Sequence, residues 1–120
     1  MDKPKPISPA GLYLQIGTAR APVIIDARPE PYADSDDRII VGARELPGNV
    51  EQWMEELAKG HSFAVYCGQD EEVSASLAQV LCEFGHKAAY LEGGMAAWMA
   101  QGLPTRKLLK AGTNKQMDHP

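Results

Sequence analysis

Apolar residues in this chain fall either into short continuous runs or into sets at helical spacing, and the two patterns alternate. Val23, Ile24 and Ile25 form an apolar β-branched run ending at Asp26, the pattern of a strand buried on both faces of a parallel sheet. Phe63, Ala64, Val65 and Tyr66 repeat it and run directly into Cys67 and Gly68, which puts a thiol at a strand end. Ala88 to Leu91 form another such run. Helical spacing appears in Val50, Trp53, Met54 and Leu57, opened by a capping box of Asn49 and Gln52 and stopped by Gly60. Val73, Leu77, Val80, Leu81 and Phe84 mark one face of a helix that Gly85 ends. Ser8 before Pro9 reads as an N-cap with proline at the first helical position, opening a helix through Ile16 that Gly17 ends. Met95 to Ala100 predict a last short helix, stopped by Gly102 and Pro104.

Alternating strands and helices predict an α/β fold with a mainly parallel sheet and helices on both faces, in which ligands bind beyond the carboxyl ends of the strands. Cys67 lies at such an end. Ala27, Arg28 and Pro29 leave the sheet, and the polar, acidic stretch 30–38 reads as a surface loop or short helix. Gly42 marks a turn before a short extended piece, Arg44 to Leu46, closed by Pro47 and Gly48. The expected organisation is an N-terminal extension over 1–6, one domain over 7–105, and a polar, poorly ordered tail over 106–120, without internal repeats.

Composition narrows the class. The 120 residues suit one core, and 44% hydrophobic with 23% charged residues is ordinary for a globular protein. Twelve Lys and Arg against 16 Asp and Glu give a net charge of -4, which favours neither nucleic acid nor an anionic membrane as partner. No run approaches a membrane span, and Met1 to Pro9 carry no apolar signal segment, so a cytoplasmic location is expected. Two cysteines are too few for a disulfide scaffold, and reduced thiols follow.

Cys67 is the candidate nucleophile. A small buried thiol is the bland alternative, but its place between an apolar strand and a polar loop favours reactivity. Cys82 is read as a small helix side chain rather than a resolving thiol. His61, His86 and His119 show no metal or catalytic spacing and are expected at the surface, so neither metal nor cofactor is called for. Asp26 and Arg28 are expected to pair and cap the strand end, while Arg44 is either a supporting cation or a solvated charge. Trp53 and Trp98 are expected in the core, and Glu92, Gly93 and Gly94 in a turn beside the cysteine loop.

These residues resemble a known family. Val23 to Arg28, with Asp26 and Arg28 one residue apart, Ile40 to Ala43, Tyr66 with Cys67, and the run Leu91, Glu92, Gly93, Gly94, Met95 and Trp98 before Gly102, Leu103 and Pro104 are similar, in order and spacing, to rhodanese-like domains. The resemblance implies a three-layer fold around a five-stranded, mainly parallel sheet. It also implies an enzyme, a sulfurtransferase in which Cys67 takes sulfane sulfur from a small donor as a persulfide. A thiol or protein acceptor then removes it, with no cofactor.

The loop after the cysteine departs from the family. Cys67 is followed by Gly68, Gln69, Asp70, Glu71, Glu72 and Val73, where active sulfurtransferases usually carry Gly with Arg or Ser, and the stretch to Gly85 looks one residue longer. Acidic residues there oppose ionisation of the thiol and repel thiosulfate, although carboxylates in the first turn of a helix are also favoured by its dipole. Related phosphatases place an arginine six positions after the cysteine. Val73 stands there, which argues against phosphatase or arsenate reductase activity. The competing reading is a catalytically weak module whose acidic loop meets a basic partner. The sequence leaves donor, acceptor and oligomeric state open.

Overall fold

The computed structural model describes residues 3–28, 38–45, 50–56, 62–68 and 71–107. Along them run β1 (Lys5–Ile7), α1 (Pro9–Gln15), β2 (Val23–Asp26), β3 (Arg38–Ile40), β4 (Arg44–Glu45), α2 (Val50–Glu56), β5 (Ser62–Tyr66), α3 (Glu71–Glu83), β6 (Lys87–Leu91), α4 (Gly94–Ala100) and β7 (Thr105–Lys107). Five strands form one parallel sheet in the order β1, β6, β5, β2, β4, as expected from the alternation of patterns. β3 and β7 make a separate antiparallel pair.

The apolar runs are continuous because both sheet faces are covered. Ile24, Ala64, Tyr66 and Leu91 point to one side, where Leu12 of α1 and Met95 and Trp98 of α4 complete a buried cluster. Ile25, Phe63 and Val65 point to the other, against Met54 of α2 and Ala78 and Leu81 of α3. This gives three layers with the central strand β5 buried from Phe63 to Tyr66, its neighbours being β2 and β6.

Local chemistry sets the helix ends. The Ser8 hydroxyl accepts from Gly11 N at 3.0 Å, capping α1. At the end of α3, Gly85 takes φ +95°, Gly85 N donates to Cys82 O and His86 N to Leu81 O, both at 3.0 Å, which satisfies carbonyls the helix would otherwise leave open. That turn carries His86 inward. The histidine expected at the surface is 3% exposed, edge-on to the Phe63 ring with centroids 5.3 Å apart. Trp98 is fully buried and its indole N–H donates to Pro104 O at 2.9 Å, whereas Trp53 is half-buried against the α2 and α3 cluster.

The chain also uses segments that carry no strand pattern. Lys5 and Pro6, read as extension, belong to edge strand β1, in register with Ala89 and Tyr90. Arg106 and Lys107, read as tail, pair with Ile39 and Arg38. Edge strands this short have too few residues for periodicity to register, and their backbone pairing is what holds them. The readings for Pro29 to Asp37, Leu46 to Asn49, Leu57 to His61 and the tail from 108 on, including His119, fall outside the described residues. No described helix is long and apolar enough to cross a membrane.

Removing residues 2–6 tests β1 directly. Losing its ladder to β6 should lower the unfolding free energy by roughly 1–3 kcal/mol, at about 0.5–1.5 kcal/mol per hydrogen bond. A true extension would leave the urea midpoint unchanged.

Candidate active site

From β2 the chain moves to β4 on one side, and from β5 it moves through α3 to β6 on the other, so the strand order reverses between β2 and β5. A crevice beyond the carboxyl ends follows from that reversal. Cys67 stands at that end of the sheet, directly after Tyr66, the last residue of β5. The residue is 6% exposed, and its Sγ lies 4.0 Å from Ala27 O just after β2, the length of a weak sulfur contact.

Main-chain bonds fix the cysteine. Ala27 N donates to Tyr66 O at 2.8 Å, and the first amides of α4 reach across, Met95 N to Cys67 O at 2.8 Å and Ala96 N to Gly68 O at 3.0 Å. The approach requires glycine at position 94, which sits at φ +60°. A Cβ there would lie 2.6 Å from Cys67 O and against Gly68 O as well. From the start of α3, the Glu71 carboxylate accepts from Gly93 N at 2.7 Å, which ties the two helices flanking the cysteine to one another.

Behind the cysteine lies a buried polar network. Asp26, 1% exposed, receives Arg28 N at 2.9 Å, Arg28 Nε at 3.1 Å, Arg28 Nη2 at 2.8 Å and the Tyr66 hydroxyl at 2.8 Å. The phenol in turn accepts from Ile40 N at 3.1 Å, and Arg28 Nη2 donates to Arg38 O at 2.6 Å. Desolvation first, then the Asp26 charge, push the Tyr66 phenol well above its ordinary value, so it stays neutral and donates. The pairing expected of Asp26 and Arg28 is present as the ion pair.

Of the loop, Gln69 and Asp70 fall outside the described residues. Glu71, Glu72 and Val73 occupy the exposed first turn of α3, Val73 being 47% exposed. Arg44 is exposed on edge strand β4, in register with Ile25. Cys82 is a buried free thiol within α3. Among the described residues, no group of three or more His, Cys, Asp or Glu could hold a metal.

Sequence reasoning overlooked the Tyr66 phenol and the Glu71 contact. Tyr66 has a signal: it lies opposite Asp26 in the β2 to β5 register, and a carboxylate ending a buried strand needs donors. Glu71 has none, because its partner is a backbone amide 22 positions away. The assembled chemistry is a thiol whose main-chain carbonyl is bonded to α4, in the segment that precedes the long helix α3.

Two substitutions probe this frame. Gly94→Ala should cost more than about 1 kcal/mol and shift the amide resonances of Cys67 and Gly68, since the strained φ and the carbonyl contacts act together. Tyr66→Phe leaves Ile40 N and Asp26 short of a partner and should cost about 1–3 kcal/mol near neutrality. The raised phenol makes a pH signature. Stability from a neutral Tyr66 is complete below the ordinary phenol value of about 10 and is lost as pH rises above it, because the unfolded chain ionises first. Urea titrations across that range should show part of the alkaline loss missing in Tyr66→Phe.

Comparison with known proteins agrees with this geometry. The model of the rhodanese-like domain matches residues 8–101. A rhodanese-related protein from Thermoplasma volcanium is similar in structure with a TM-score of 0.69 at 24% identity, covering 85% of this chain and 97% of its own. The rhodanese-like domain of an Anabaena protein gives a TM-score of 0.70 at 23% identity, covering 92% and 83% respectively. A Rhodopseudomonas palustris protein of unknown function, described as a possible tyrosine phosphatase, gives 0.72 at 24% identity, covering 86% and 85%. No curated protein matches. With the family model spanning most of the chain and its cysteine, the chain belongs to the rhodanese-like domain family.

Proposed function

We propose that this domain is a sulfurtransferase in which Cys67 carries the sulfur. The observation that supports it is the grip on residue 67: its own carbonyl and that of Gly68 are held by α4, and the residue stands at the carboxyl end of the central strand. With thiosulfate as donor, the Cys67 thiolate attacks the sulfane sulfur, an S–S bond forms, the old S–S bond breaks, and sulfite leaves with its electron pair. An acceptor thiolate then attacks the outer sulfur and releases the Cys67 thiolate. Neither step needs a metal, and a reducing, cytoplasmic setting suits two free cysteines.

Donor choice follows from the first turn of α3. Exposed Glu71 and Glu72 disfavour a dianionic donor, so an organic or protein persulfide is the better substrate. Val73 at the position where related phosphatases carry arginine gives a phosphate dianion no bidentate partner, which speaks against a phosphatase despite the Rhodopseudomonas palustris neighbour.

Intact-protein mass spectrometry tests the reading. After incubation with an organic persulfide, the wild type should gain one sulfur and Cys67→Ser none, with a smaller gain from thiosulfate. No gain from either donor would make the domain a binding module instead.

A further inference from the structure

At the opposite end of the sheet from Cys67 lies a second cleft, of about 420 Å³. Its origin can be read from the register. Lys5, Ala64 and Ala89 are aligned across β1, β5 and β6, one layer below Ile7 and Leu91. The upper layer is covered by α1, whose Leu12 packs in the same cluster as Ile7 and Leu91. α1 ends at Gln15, and in the lower layer the two alanines contribute only methyl groups, so a hollow opens beneath the helix end.

The rim of that hollow is cationic. Lys3, Lys5, Arg20 and Lys87 line it, all exposed and drawn from β1 and the residues before it, the connection after α1 and the start of β6. Among the described residues no carboxylate lines it, although the chain as a whole carries a net charge of -4. None of the four cations forms an ion pair with a described residue. Gathering like charges without counter-charge costs repulsion in the free protein, and a bound anion relieves it. The floor, by contrast, includes Pro22, Ala64 and Ala89. A cationic rim over an apolar floor, with a volume in the ~300–1,000 Å³ range of ligand pockets, selects for both charge and a compact apolar body.

We propose that this cleft is a binding site for a small organic dianion, a phosphate or sulfate ester carrying a compact apolar group. The anionic head meets the Lys and Arg rim through charge-assisted hydrogen bonds, and the apolar body lies over the alanine floor. The site is separate from Cys67 and does not depend on the sulfur chemistry proposed for it.

Phenyl phosphate is a suitable probe, added to the full chain while backbone amide NMR resonances are followed, with inorganic phosphate, benzyl alcohol and a hexaglutamate peptide in parallel. Saturable shifts at Lys5, Ser62, Lys87 and Ala89 are expected, weakened by added salt. Lys5→Gln with Lys87→Gln should weaken binding roughly tenfold, two charge-assisted contacts being lost. Arg20→Gln, which leaves β1 untouched, should weaken it as well and guards against an effect of strand loss. The proposal is overturned if phenyl phosphate gives no saturable shift there, if the variants bind as the wild type does, or if inorganic phosphate binds equally well. Binding of the peptide without phenyl phosphate would also overturn it, marking a docking surface for an acidic protein.

Discussion

Burying the Asp26 carboxylate at the end of β2 is tolerable only because Arg28 and Tyr66 meet it from two directions. A carboxylate removed from water without such donors would cost several kcal/mol, and removing one partner of a buried pair typically costs about 3–5 kcal/mol. The same contacts determine where β2 ends, hold β5 beside it through Tyr66, and bring in β3 through Ile40 N and Arg38 O. Cys67 is the next residue after Tyr66, so the polar network and the thiol share one piece of backbone. The position of the cysteine is thereby a consequence of core electrostatics and of main-chain bonds, not of contacts made by its side chain.

The second constraint comes from α4. Its opening amides would lack partners within a helix, and here the carbonyls of Cys67 and Gly68 supply them. A helix start thus serves the main chain of the cysteine loop, whereas α3 points its own start toward the same loop. Glu71, bonded to Gly93 N, couples the two. This gives at least one acidic residue of the loop a structural duty, and the departure from the usual sulfurtransferase loop is partly accounted for by it.

Most of the sheet was legible because buried parallel strands leave continuous apolar runs, as at Val23 to Ile25 and Phe63 to Tyr66. Helices α1 and α3 were legible from Ser8, Pro9 and Gly85, whose backbone roles are local. What the sequence hid was long-range. β1 and β7 are edge strands with polar residues, held by partners more than sixty positions away. His86 reads as a loop residue and is buried only because the turn at Gly85 folds it onto Phe63. Around the cysteine, the strand-end position and the Asp26 to Arg28 pair could be read from spacing. The grip of α4 could not, since backbone amides leave no mark in a sequence beyond the glycine that lets them approach.

That grip separates the two halves of residue 67. Its carbonyl and its neighbour's belong to the architecture, while its side chain makes only a weak 4.0 Å contact with Ala27 O. Changing the atoms beyond Cβ therefore breaks no strong bond of the fold. The carrier role proposed for Cys67 calls for such indifference, since the loaded and empty states would differ only in atoms that the main-chain bonds do not involve.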